Sequence, residues 1–106
     1  MRKITQKASQ CLKNWQDFNL SNTSVYFLHG VWWMDLHWNH IASYNAESKK
    51  LLIRDAWWES NTTKERLNGI LTTFWVNGWI YQKNWKWYLK LNWKIEEWKG
   101  EKIIEL

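Results

Sequence analysis

The chain has 106 residues, with 15 lysines and arginines against 10 aspartates and glutamates, a net charge of +5. That length holds one domain with a modest core, and no apolar run approaches the roughly 18 residues needed to cross a bilayer. Cys11 is the single cysteine, which excludes an internal disulfide and points to a reducing cytoplasm, and the stretch after Arg2, Lys3 and Lys7 is too polar for a signal peptide.

Residues 4–18 predict an amphipathic helix, because Ile4, Ala8, Cys11, Leu12, Trp15 and Phe18 recur at spacings of three and four. Ser21-Asn22-Thr23 breaks it, and strands are expected over residues 24–58. The first runs from Ser24 to His29 and turns at Gly30. Trp32 to Tyr44 reads as one further strand, Asn45 to Lys50 as a polar turn, and a return strand starts at Leu51-Leu52-Ile53. A second helix is expected over residues 62–75. Thr62-Thr63-Lys64-Glu65 has the form of a capping box, and Leu67, Ile70, Leu71 and Phe74 make one apolar stripe. Strands should fill residues 79–106, with Lys83-Asn84-Trp85 as a hairpin turn and Ile103-Ile104 as a short closing strand. The expected class is α+β: a small antiparallel sheet of β-hairpins packed on one central capped helix, with an N-terminal amphipathic helix, all in a single domain.

The composition holds 12 tryptophans, no proline and only 4 glycines. Asparagine precedes tryptophan at Asn14-Trp15, Asn84-Trp85 and Asn92-Trp93. The last two pairs sit where strand patterns break. A tight type I′ hairpin needs positive φ at both central residues, which favours Asn-Gly. Tryptophan there costs on the order of 1–3 kcal/mol, unless the loops are wider.

Asn22-Thr23, Leu36-His37-Trp38-Asn39-His40-Ile41-Ala42, Trp57-Trp58, Thr62 to Asn68 and Tyr81-Gln82-Lys83-Asn84-Trp85 together resemble a family of small proteins from bacteriophages and related mobile elements. In that family's pattern, glycine stands at the places of Trp38, Trp57 and Trp85. The resemblance spans the chain from about residue 18. It implies a phage-type accessory protein of unassigned activity and supplies no catalytic residues. The replacements suggest a gene in which UGA is read as glycine but was translated as tryptophan, so the codons at positions 38, 57, 85 and 93 are informative. The competing expectation is a tryptophan-rich protein with a stacking surface.

Three kinds of chemistry bear on the residues. Asp35, His37 and His40 invite a metal, but on one regular strand Asp35 and His37 share a face while His40 points to the other. Cys11 lies on an apolar helix stripe, where an inert thiol is expected. No nucleophile elbow, P-loop, dinucleotide turn or paired-cysteine spacing is present. The remaining candidate is the segment Lys83 to Lys94. As one strand it places Trp85, Trp87, Leu89, Leu91 and Trp93 on one face and Lys86, Tyr88, Lys90, Asn92 and Lys94 on the other. That is ordinary core-in, charge-out patterning, which keeps the tryptophans and lysines on separate surfaces and favours core packing over base stacking. The excess of lysine at both chain ends suits a nucleic acid or another acidic partner, or solubility alone.

The sequence therefore predicts a non-enzymatic binding protein of a phage or mobile element, in the host cytoplasm, with a host or phage protein as partner. No cofactor, metal site, catalytic residue or membrane is expected. The alternative is a weak single-stranded nucleic-acid binder using Lys86, Tyr88, Lys90 and Lys94.

Overall fold

The computed structural model describes residues 1–106. In chain order the elements are α1 (Lys3–Lys13), β1 (Phe18–Leu20), β2 (Thr23–Leu28), β3 (Val31–Leu36), β4 (Asn39–Asn45), β5 (Lys50–Arg54), α2 (Asn61–Thr73), β6 (Gly78–Lys83), β7 (Lys86–Leu91), β8 (Lys94–Glu97) and β9 (Glu101–Glu105). The fold is α+β with antiparallel pairing throughout. The expected sheet of hairpins resolves into two: a six-stranded sheet in the order β1-β2-β3-β4-β5-β9 and a three-stranded sheet β6-β7-β8.

Strand alternation sets the core. Val25, Met34, Ala42, Ile53, Leu51 and Ile104 bury one face of the large sheet with Ala8 and Leu12 of α1 and with Leu67, Ile70 and Leu71 of α2. The small sheet adds Ile80, Trp87 and Leu89 to the same cluster. The helices approach closely at Gly69, where a Cβ would overlap the Thr5 methyl. Arg66 is only 2% exposed. Its guanidinium donates to the Thr5 hydroxyl at 2.6 Å, to Glu65 at 2.5 Å and to Thr23 at 3.3 Å, joining both helices to β2. Across α2, the Asn68 side chain takes the place of a neighbouring strand. Its amide donates to the Ile80 carbonyl at 2.9 Å and its oxygen accepts from the Ile80 N–H at 2.7 Å. That bond pair closes the inner edge of the small sheet.

Several expected boundaries change, each for a local reason. The first helix stops at Lys13 rather than residue 18. The Gln16 N–H reaches back to the Cys11 carbonyl at 2.9 Å around Trp15 at φ 59°, a Schellman ending, and Phe18–Leu20 then pairs as β1. The strand expected from Trp32 to Tyr44 is two strands, β3 and β4, folded about His37-Trp38 at φ 51° and 68°. The capping box does not form. Ser60 is the N-cap of α2 and accepts from the Thr63 N–H at 3.1 Å. Glu65 instead accepts from the Thr5 hydroxyl and Arg66.

Candidate functional site

The small sheet has two unlike faces. Trp87 and Leu89 point inward from β7 and are 5% and 1% exposed, whereas Lys86, Tyr88 and Lys90 alternate outward. Antiparallel register then places neighbours on that outer face. Trp79 and Ile95 flank Lys90, Tyr81 and Glu97 flank Tyr88, and Lys83 stands opposite Lys86. The Tyr81 and Tyr88 rings stack with centroids 5.7 Å apart and planes 24° apart. Three lysines and three aromatic rings thus share one surface, with a single carboxylate, Glu97, beside them.

This differs from the single-strand reading in two ways. The hairpin turn expected at Lys83-Asn84-Trp85 forms and the chain turns again at Asn92-Trp93, so Trp85 and Trp93 are over 90% exposed at turns instead of lining a core face of one continuous strand. Lys94 lies on β8 opposite Leu91, which puts it on the other face from Lys86, Tyr88 and Lys90. The aromatics that accompany the lysines are Trp79, Tyr81 and Tyr88. Trp79 and Tyr81 belong to a strand that sequence reading did place, but only pairing register brings them beside β7.

A second cluster forms on the outer face of the large sheet. The register shifts between Met34 and Asp35, and the tight turn at His37-Trp38 returns the chain so that His40 pairs with Asp35. The His40 ring donates from Nδ1 to Asp35 Oδ1 at 2.5 Å, and the Tyr26 hydroxyl donates to Asp35 Oδ2 at 3.0 Å. Asp35 is 7% exposed, so these two donors satisfy a buried carboxylate. Burial, then the hydrogen bond to Asp35, then its charge push the Tyr26 hydroxyl up to about 12. Trp33 covers the other side of His40, ring centroids 5.0 Å apart. Nδ1 is committed to Asp35, leaving Nε2 as the free ring nitrogen on a side chain 46% exposed. The regular-strand expectation that Asp35 and His40 face apart is therefore corrected by the bulge and turn. The Asp35–His40 spacing around a two-residue turn was the only sequence signal for it. His37 sits in the turn itself, with its ring stacked on Trp58 at 6.1 Å and 15°, and no group of three metal-ligating side chains converges anywhere in the chain.

The loop after β5 holds a third polar feature. Asp55 is 6% exposed and accepts from the Trp98 indole N–H and the Trp57 N–H, both at 2.9 Å. Through Trp98, whose backbone N–H donates to the Trp87 carbonyl at 2.9 Å, this loop ties the large sheet to the small one. Burial, reinforced by the Asp55 charge and a hydrogen bond to Asp55, raises the Glu59 carboxyl above its ordinary value. Cys11 is partly buried against the core, and burial pushes its thiol up.

No helix is long and apolar enough to cross a membrane. A family model described as Kyanoviridae Gp96 protein matches residues 1–105. No curated protein and no solved structure matches the chain.

Proposed function

The chain belongs to the Kyanoviridae Gp96 protein family, a phage protein family, and from that premise we propose that it is a non-enzymatic accessory protein that works by binding in the host cytoplasm. Its recognition surface is the outer face of the small sheet, and single-stranded nucleic acid is the ligand class that fits it best. The observation that carries this reading is the sharing of one open face by Lys83, Lys86 and Lys90 with Trp79, Tyr81 and Tyr88. Single-strand binders combine a positive track for phosphates with aromatic platforms for bases, each stacked base contributing about 1–3 kcal/mol. A net charge of +5 adds long-range attraction for a polyanion.

Fluorescence anisotropy with a labelled mixed-sequence oligonucleotide tests it. Affinity should fall steeply with salt, since each phosphate contact on a single strand contributes about 0.7 to the log–log slope. Tyr88→Ala should weaken binding by roughly tenfold to a hundredfold, and Lys86→Gln with Lys90→Gln should flatten the salt slope. Absence of binding at low salt removes nucleic acid as the ligand. The second reading, recognition of a protein or small ligand by the large sheet, then takes its place, favoured by the exposed His40 held by Asp35 and Tyr26.

A further inference from the structure

The tryptophans divide by backbone conformation. Trp15, Trp38, Trp57, Trp75 and Trp85 have φ of 59°, 68°, 67°, 61° and 67°, all in the left-handed region that L side chains with a bulky Cβ substituent avoid. Each stands at the one position of its motif where glycine is the usual residue. Trp15 and Trp75 follow the C-caps of α1 and α2. There the Gln16 N–H meets the Cys11 carbonyl and the Val76 N–H meets the Leu71 carbonyl, both at 2.9 Å, the six-to-one bond of a Schellman ending. Trp38, Trp57 and Trp85 are the second central residues of tight turns whose first central residues, His37, Ala56 and Asn84, have φ of 51°, 53° and 52°.

The molecule contains its own control. The β2–β3 hairpin turns at His29-Gly30 with φ of 53° and 79°, the same left-handed pair, and there the second residue is glycine. Side-chain surroundings agree with the backbone. Trp38, Trp57, Trp75 and Trp85 are 86–96% exposed and Trp15 is 59% exposed. Of the five indoles, only that of Trp75 has a partner, the Lys13 ammonium 5.4 Å from its centroid. Five other tryptophans are engaged: Trp87 is buried at 5%, Trp98 donates to Asp55, Trp33 donates to the Leu28 carbonyl at 3.2 Å, Trp32 packs on Phe27, and Trp58 stacks on His37. Trp93 is 93% exposed, but only its neighbour Asn92 has positive φ, so position 93, expected from the sequence to share the anomaly, falls outside the set.

We propose that the protein made by the phage carries glycine at positions 15, 38, 57, 75 and 85, encoded by UGA codons that its host reads as glycine, while Trp87 and Trp98 are true tryptophans encoded by UGG. UGA differs from the tryptophan codon UGG only in its third base and from the glycine codon GGA only in its first. One reassigned codon therefore accounts for a substitution that no packing need explains. The consequence for function is specific. Five exposed indoles leave the surface, while the aromatic platform of Trp79, Tyr81 and Tyr88, which stand on strands and not at left-handed positions, is unchanged.

The test is peptide sequencing by mass spectrometry of this protein from infected host cells, read alongside the gene's codons. Glycine in the five peptides, with tryptophan at 87 and 98 and UGA confined to the first set, is the expected result. UGG codons at the five positions, or tryptophan in their peptides whatever the codon, overturns the proposal.

Discussion

The turns at His29-Gly30 and His37-Trp38 join successive strands of one sheet and have nearly the same backbone, φ 53° and 79° against 51° and 68°. One fills the second position with glycine, the other with the largest side chain available, which is 92% exposed and makes no contact that would offset the strain. Both hairpins pair the residues next to the turn, Leu28 with Val31 in one and Leu36 with Asn39 in the other, although β3 and β4 shift register two residues further on, between Met34 and Asp35. Turn conformation here is thus dictated by strand twist and register, and the tryptophan is carried along by it. Trp87 shows the opposite relation, in which the indole is buried and the structure is built around it.

Single substitutions sharpen that contrast. Trp87→Ala should cost about 3–5 kcal/mol, the loss of a buried aromatic with the cavity it leaves, measured by urea denaturation. Gly30→Trp should cost about 1–2 kcal/mol by forcing a side chain into the left-handed region. A neutral Gly30→Trp would break the comparison, because it would mean that these turns tolerate tryptophan without strain. The smallest effect belongs to Glu59, next to the Ala56-Trp57 turn. Its raised carboxyl holds its proton to higher pH in the folded protein than in the unfolded chain. Its contribution therefore favours folding at low pH and is lost as pH rises through the carboxyl range. Glu59→Gln should gain stability relative to the parent chain as pH rises through that window, seen as an upward movement of its denaturation midpoint relative to the parent's; a pH-independent difference would contradict it.

The same contrast explains what could be read from the sequence. Both helices were legible because Ala8 and Leu12, and Leu67, Ile70 and Leu71, mark apolar stripes that the core does bury. Their endings and the β3–β4 break were not, because the punctuation that stops a helix or turns a hairpin is glycine, and tryptophan stands in its place at 15, 38 and 75. Reading Trp32 to Tyr44 as one strand followed directly, and with it the wrong facing of Asp35 and His40. On the candidate surface, Lys86, Tyr88 and Lys90 were legible from period-two alternation. Lys94 was misplaced by the turn at Asn92-Trp93, and Trp79 and Tyr81 joined the surface only through register across β6 and β7. The capping of α2 by Ser60 in place of Thr62 turned on tertiary demand: Glu65 is drawn to Thr5 and Arg66 instead of back to the helix start.

The central claim is that five turn and cap positions are built for glycine. It is tested most directly by changing Trp15, Trp38, Trp57, Trp75 and Trp85 to glycine together and comparing equilibrium urea denaturation with the chain that carries tryptophan. The sites belong to separate turns and helix ends, so relief of about 1 kcal/mol at each should add. The account predicts a gain of about 5 kcal/mol with the urea dependence unchanged. An unchanged or lowered stability would contradict it and make these tryptophans part of the native design.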